Sequence, residues 1–93
     1  MNERILIADS PEFPGDESTR RYRYVLYLLN DGLTRKWVTW AQGFPGGDFF
    51  LGHYFDNEAE AWVDFGQRCQ QVCMDISNLI RRREPEWEQS TKT

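Results

Sequence analysis

The chain has 93 residues, a net charge of −4, and 40% apolar against 28% charged residues, the balance of one folded globular domain and not of a disordered chain. It lacks the run of about 18 apolar residues that a membrane helix needs, and its first apolar stretch is too short for a signal peptide. Its two cysteines make no disulfide framework, so a cytoplasmic single domain is expected over residues 1–84, with 85–93 as a flexible tail.

In chain order, Ile5–Ala8 is a short apolar run that predicts a first strand. Residues 9–19 contain Pro11, Pro14 and Gly15 among the acids Asp9, Glu12, Asp16 and Glu17, and predict a loop. Arg20–Asn30 is rich in Tyr, Val and Leu and predicts a long strand. Asp31-Gly32 is the usual pair for a two-residue type I′ turn, with Leu33–Gln42 as the return strand. Such a turn sets Leu28 opposite Arg35, Leu26 opposite Trp37, Tyr24 opposite Thr39 and Tyr22 opposite Ala41, all on one face. The other face carries Arg23, Val25, Tyr27, Leu29, Lys36, Val38 and Trp40. The first set is the more continuously apolar and is expected to lie under the helix.

Gly43–Gly47 predicts a loop and lacks the Lys-Ser/Thr of a phosphate cradle. Asp48–Phe55 predicts a further strand, in which Gly52 marks a bulge or a close approach. Asn57–Arg83 predicts one helix, with Asn57 as N-cap and Glu60 completing a capping box. Acids in its first turn and Arg81, Arg82 and Arg83 in its last suit the helix dipole, and Pro85 stops it. Ala59, Trp62, Gly66, Cys69, Cys73, Ile76 and Ile80 recur at steps of three and four and predict the buried seam, flanked by Phe65, Val72 and Leu79. Gly66 on that seam predicts a close crossing over the sheet, which Gly66→Leu would overpack. A helix of about 27 residues is roughly 40 Å long and outreaches a strand such as Tyr22–Leu29 at roughly 26 Å. Ile76, Leu79 and Ile80 at its far end therefore need cover, from a second copy of the chain, from another protein, or from residues 5–19. The fold class expected is α+β: an antiparallel sheet of three to four strands packed against one long C-terminal helix.

Six Phe, four Tyr and four Trp make 15% of the chain. Each ring can bury roughly 150–250 Å², and a domain this small hides only about 60–65% of its unfolded surface. Some ring surface is expected to meet a second molecule. Charge is segregated: residues 20–42 carry five bases and one acid, residues 43–80 one base and six acids. Cations interleaved with rings suit single-stranded nucleic acid, the alternative reading of the hairpin. Glu58, Glu60 and Asp64 suit a basic protein surface.

Chemistry is sparse. His53 is the one histidine, and no motif ties it to Asp48 or Asp56. Cys69 and Cys73, four apart on a helix, do not bridge each other and read as small core residues. No metal or cofactor is expected. The function these observations favour is a small non-catalytic protein-binding module, plausible as a homodimer through the sheet face or the helix end (Ile76, Leu79, Ile80). Its expected contacts are Arg23, Tyr27, Lys36 and Trp40 on the sheet and Glu58, Glu60 and Asp64 on the helix. Size and charge alone give it the look of small inhibitors from phage and other mobile elements, such as anti-CRISPR and anti-restriction proteins, which act by steric and electrostatic occlusion.

Overall fold

A computed structural model describes residues 2–83. Four strands, β1 (Glu3–Asp9), β2 (Tyr22–Asn30), β3 (Arg35–Gly43) and β4 (Phe49–Phe55), precede one helix, α1 (Glu58–Arg83). The strands form a single antiparallel sheet in the order β1-β2-β3-β4, and α1 lies across one face of it, against β2, β3 and β4. The domain is thus α+β, with four strands. The Pro85 stop and the tail at 85–93 lie outside the described residues. Among the described residues no helix is long and apolar enough to cross a membrane.

The β2–β3 connection differs from the two-residue turn that Asp31-Gly32 predicts. Asn30 pairs with Arg35, so the loop holds the four residues Asp31 to Thr34. A type I′ turn needs positive φ at both central residues; here Gly32 has it and Asp31 does not. Asp31 instead folds the loop with its side chain: Oδ1 accepts the amides of Leu33 at 2.9 Å and Thr34 at 2.7 Å. The cross-strand partners consequently move by two. Leu28 faces Trp37, Leu26 faces Thr39, Tyr24 faces Ala41 and Tyr22 faces Gly43. A shift of two leaves every side chain on its own face. The face under the helix is therefore the expected one, with Leu26 packed against Ala61 and Phe65.

Helix α1 starts as its sequence predicts: the Asn57 side chain accepts the Glu60 amide at 3.1 Å. Its buried stripe is different. Ala61, Phe65, Arg68, Val72 and Leu79 face the sheet, while Ala59, Trp62, Gly66, Cys73 and Ile80 are exposed and Cys69 and Ile76 half-buried. The predicted flank is the true centre. A Cβ at Gly66 would meet nothing within 4 Å, so the expected overpacking by Gly66→Leu has no basis among the described residues.

The far end of the helix is covered by the chain itself. Residues 10–21 are pinned to β2 by Ser10 N–H to Tyr24 O at 2.9 Å, and by Phe13 N–H to Tyr22 O at 2.7 Å with its reciprocal at 3.1 Å. This drops Phe13 into a cluster with Tyr22, Val72 and Leu79, joined by Ile76. Arg82 reaches Asp16 at 2.7 Å and closes the loop over the last turns. Two of the three overhanging residues, Ile76 and Leu79, are thus sheltered without a second molecule; Ile80 stays 44% exposed.

Candidate functional site

The sheet face away from the helix carries a layer of rings. Val25 on β2 and Val38 on β3 are fully buried there, although α1 lies on the other face. What covers them is aromatic. Trp40 and Phe49 stack at 4.7 Å with planes 9° apart. Tyr27 meets both edge-on, at 5.7 Å and 5.4 Å, and Tyr54 meets Trp40 edge-on at 6.1 Å. The Arg4 guanidinium lies over Phe49 at 5.2 Å and Tyr27 at 5.8 Å. Tyr54 is 58% exposed and Leu6 44%, so the layer is ordered from below and open at its rim.

Trp40 is held by the irregularity at Gly52. Pairing of β3 with β4 shifts between Thr39 and Ala41, and Leu51 takes a positive φ of 54°, the bulge that an in-strand glycine predicts. A Cβ on Gly52 would sit 2.6 Å from Trp40 Nε1 and 2.9 Å from Cδ1. Gly52→Ala is therefore expected to lower stability by about 1–3 kcal/mol and to change the near-UV circular dichroism of the tryptophans. An unaltered spectrum would show that Trp40 does not depend on this contact.

Of the sequence-predicted contacts, Arg23, Tyr27, Lys36 and Trp40 do share this face. Two of them carry charges that the chain already engages: Arg23 binds Asp9 at 2.6 Å and Gln42 at 2.8 Å, and Lys36 binds Asp56 at 2.9 Å. Arg21 likewise pairs with Glu12. Arg4, Phe49 and Tyr54 complete the patch and were not legible in the sequence. Phe49 and Tyr54 are five residues apart, which strict alternation puts on opposite faces; only the bulge at Leu51 and Gly52 brings them together. The predicted helix acids lie elsewhere, beyond the other face. Glu60 is exposed, Glu58 accepts the Trp62 Nε1–H at 3.2 Å, and Asp64 is turned inward.

Asp64 belongs to a polar knot between α1 and the sheet. It accepts the hydroxyl of the fully buried Thr39 and lies 3.3 Å from Arg68 Nε. His53 Nδ1 stands 3.1 Å from both Asp64 oxygens and 2.9 Å from Arg68 Nη2. Arg68 Nη2 also donates to the carbonyl of Leu51 at 2.6 Å, a residue that the register shift leaves without a partner on β3, and the guanidinium covers the Tyr24 ring at 5.0 Å. Partial burial pushes the Asp64 carboxyl up, but the Thr39 hydroxyl, the His53 ring and the Arg68 charge outweigh it and hold the carboxyl below its usual range. His53 thus stands beside a carboxylate, Asp64 and not Asp48 or Asp56. Its Nδ1 is engaged in either state: neutral, it accepts from Arg68; protonated there, it donates to Asp64. The one hydroxyl bound in the knot, Thr39, donates its hydrogen bond to Asp64 and is shut from solvent. The knot is a strut between helix and sheet.

On the helix side a cleft of about 590 Å³ runs between α1 and the β3–β4 loop, walled by Tyr22, Tyr24, Phe44 and Phe50. Asp75 at its floor accepts the Tyr22 hydroxyl and Gln71 Nε2–H. Burial first, and the Asp75 carboxylate second, push the Tyr22 phenol well above its ordinary range, so it stays neutral and donates. Comparison with known protein families, curated proteins and solved structures finds no match to this chain.

Proposed function

We propose that this chain is a non-catalytic protein-binding module whose contact surface is the open sheet face. The observation that carries the reading is the pre-packed layer of Tyr27, Trp40, Phe49 and Tyr54 with Arg4 laid across it. Aromatic residues and arginine, fixed in place before contact, are the side chains that dominate protein interfaces, and little side-chain entropy remains to be lost on binding. The mode of action is occlusion: the patch covers a partner's surface without altering it chemically.

Single-stranded nucleic acid is less well served by the same face. Base stacking needs open ring faces and unengaged cations. Trp40 and Phe49 stack on each other, Arg4 lies over Phe49, and Arg21, Arg23 and Lys36 are engaged by Glu12, Asp9 and Asp56.

The test compares the wild-type chain with Tyr54→Ala and Arg4→Glu in capture from the native host, beside binding to labelled oligonucleotides across a salt series. Tyr54 and Arg4 are exposed enough for both variants to fold. The expected result is one protein retained by the wild type through moderate salt and lost by both variants. Equal capture by all three chains would overturn the assignment of the face. Oligonucleotide binding that falls steeply with salt would overturn the choice of partner.

A further inference from the structure

Helix α1 carries two apolar stripes, and its own sheet uses one. Ala61, Phe65, Arg68, Val72 and Leu79 face the sheet. Ala59, Trp62, Gly66, Cys69, Cys73, Ile76 and Ile80 form the second, about a quarter turn round the helix. Its steps of three and four run unbroken from one end of the helix to the other, the heptad spacing of helix–helix pairing and narrower than a core-facing stripe requires. Among the described residues five of the seven, Ala59, Trp62, Gly66, Cys73 and Ile80, are exposed, Trp62 at 42% and Ile80 at 44%, with the adjoining Val63 at 63%, while Cys69 and Ile76 keep one side free and turn the other to the chain's own core clusters.

We propose that this stripe docks against the same stripe of a second copy, with the two helices antiparallel about a two-fold axis near Cys69. The sequence is self-complementary about that point. Ala59 meets the partner's Ile80, Trp62 the partner's Ile76, Gly66 the partner's Cys73, and Cys69 the partner's Cys69. Large side chains oppose smaller ones at the ends, and small residues let the helices close in the middle. Charge sets the direction. Glu58 in the first turn and Arg81 and Arg83 in the last become neighbours of opposite sign when the helices are antiparallel, and like-charged neighbours when they are parallel; Arg82 is held by Asp16 within its own chain. The contact is isologous, as a two-fold dimer demands. It leaves the open sheet face free, so it stands independently of the function proposed for that face.

Sedimentation of the full chain at high-micromolar concentration is expected to give a dimer. A short bis-maleimide should join two chains through Cys69, in the wild type and in Cys73→Ser but not in Cys69→Ser. Gly66→Leu should keep the helical content, because the position is exposed and a Cβ there meets nothing within 4 Å among the described residues, and weaken the dimer about tenfold or more by holding the helices apart. A monomer at every concentration overturns the proposal, including one whose stripe is shielded by residues 84–93. So does cross-linking through Cys73 alone, or a dimer indifferent to Gly66→Leu and lost in Tyr54→Ala, which places the second copy on the sheet.

Discussion

Phe13→Ala is expected to remove about 3–5 kcal/mol of stability, from a domain whose total is on the order of 5–15 kcal/mol. Phe13 is 1% exposed and stands 5.5 Å from the Tyr22 ring. Val72 and Leu79 close the same cluster from the helix side. The site has little freedom to collapse around a smaller residue, because the backbone of Phe13 is bonded to Tyr22 in both directions. A cavity left between loop and helix therefore stays open. The loss would also free the cover over Ile76 and Leu79, so the last helical turns should loosen with it. Urea unfolding followed by circular dichroism measures the effect, with Glu17→Ala, an exposed neighbour in the same loop, as a control expected to change stability by no more than about 0.5 kcal/mol. A loss below about 1 kcal/mol for Phe13→Ala would mean that residues 10–21 are the surface loop their prolines and acids suggest.

Phe13 also shows where sequence reading stops. Strand existence, order of elements and helix extent were legible, because Tyr, Val and Leu runs bounded by Gly and Pro leave few choices. The covered sheet face was legible for a stronger reason: the turn at Asp31 was longer than its dipeptide predicts, yet a two-residue shift preserves side-chain parity. One aromatic among prolines and acids gives no periodic signal, so Phe13 passed for a loop residue until the bridge to Tyr22 placed it. The helix misled in a different way. Its most regular apolar repeat, from Ala59 to Ile80, is not the stripe on the sheet. Periodicity reports that a face is apolar, not what it meets. Arg68 could not have been found by hydrophobicity at all, since its burial depends on Leu51 and Tyr24 arriving from two strands beside Asp64, one turn back on its own helix. Similarly, His53 and Asp64 are eleven residues apart with a helix start between them, and only the packing of α1 back over the sheet makes them neighbours.

Asp64→Ala is expected to lower stability by about 2–4 kcal/mol, several times the effect of breaking the exposed Arg21–Glu12 or Lys36–Asp56 pairs, which are worth about 0–1 kcal/mol each. The difference lies in what is left behind. Removing Asp64 strands the hydroxyl of Thr39, which is fully buried, and the charge of Arg68, which is 9% exposed. A buried charge without its partner is costlier than the pair was favourable. Asp64→Leu combined with Arg68→Met should accordingly lose less than Asp64→Ala alone, since it removes both charges together. Proton linkage gives a second measurement. The Asp64 carboxyl is held lower in the folded chain than in the unfolded one, where an aspartate titrates near about 4. The folded state then binds the proton more weakly. Its stabilisation is fully present above the unfolded value and is lost as pH falls through the folded one. The wild type should therefore lose stability between neutral pH and strong acid by more than Asp64→Ala does, the two curves converging at the acid end. Parallel curves through that range would mean that Asp64 titrates alike in both states, and the polar knot would then hold the helix by packing and not by charge.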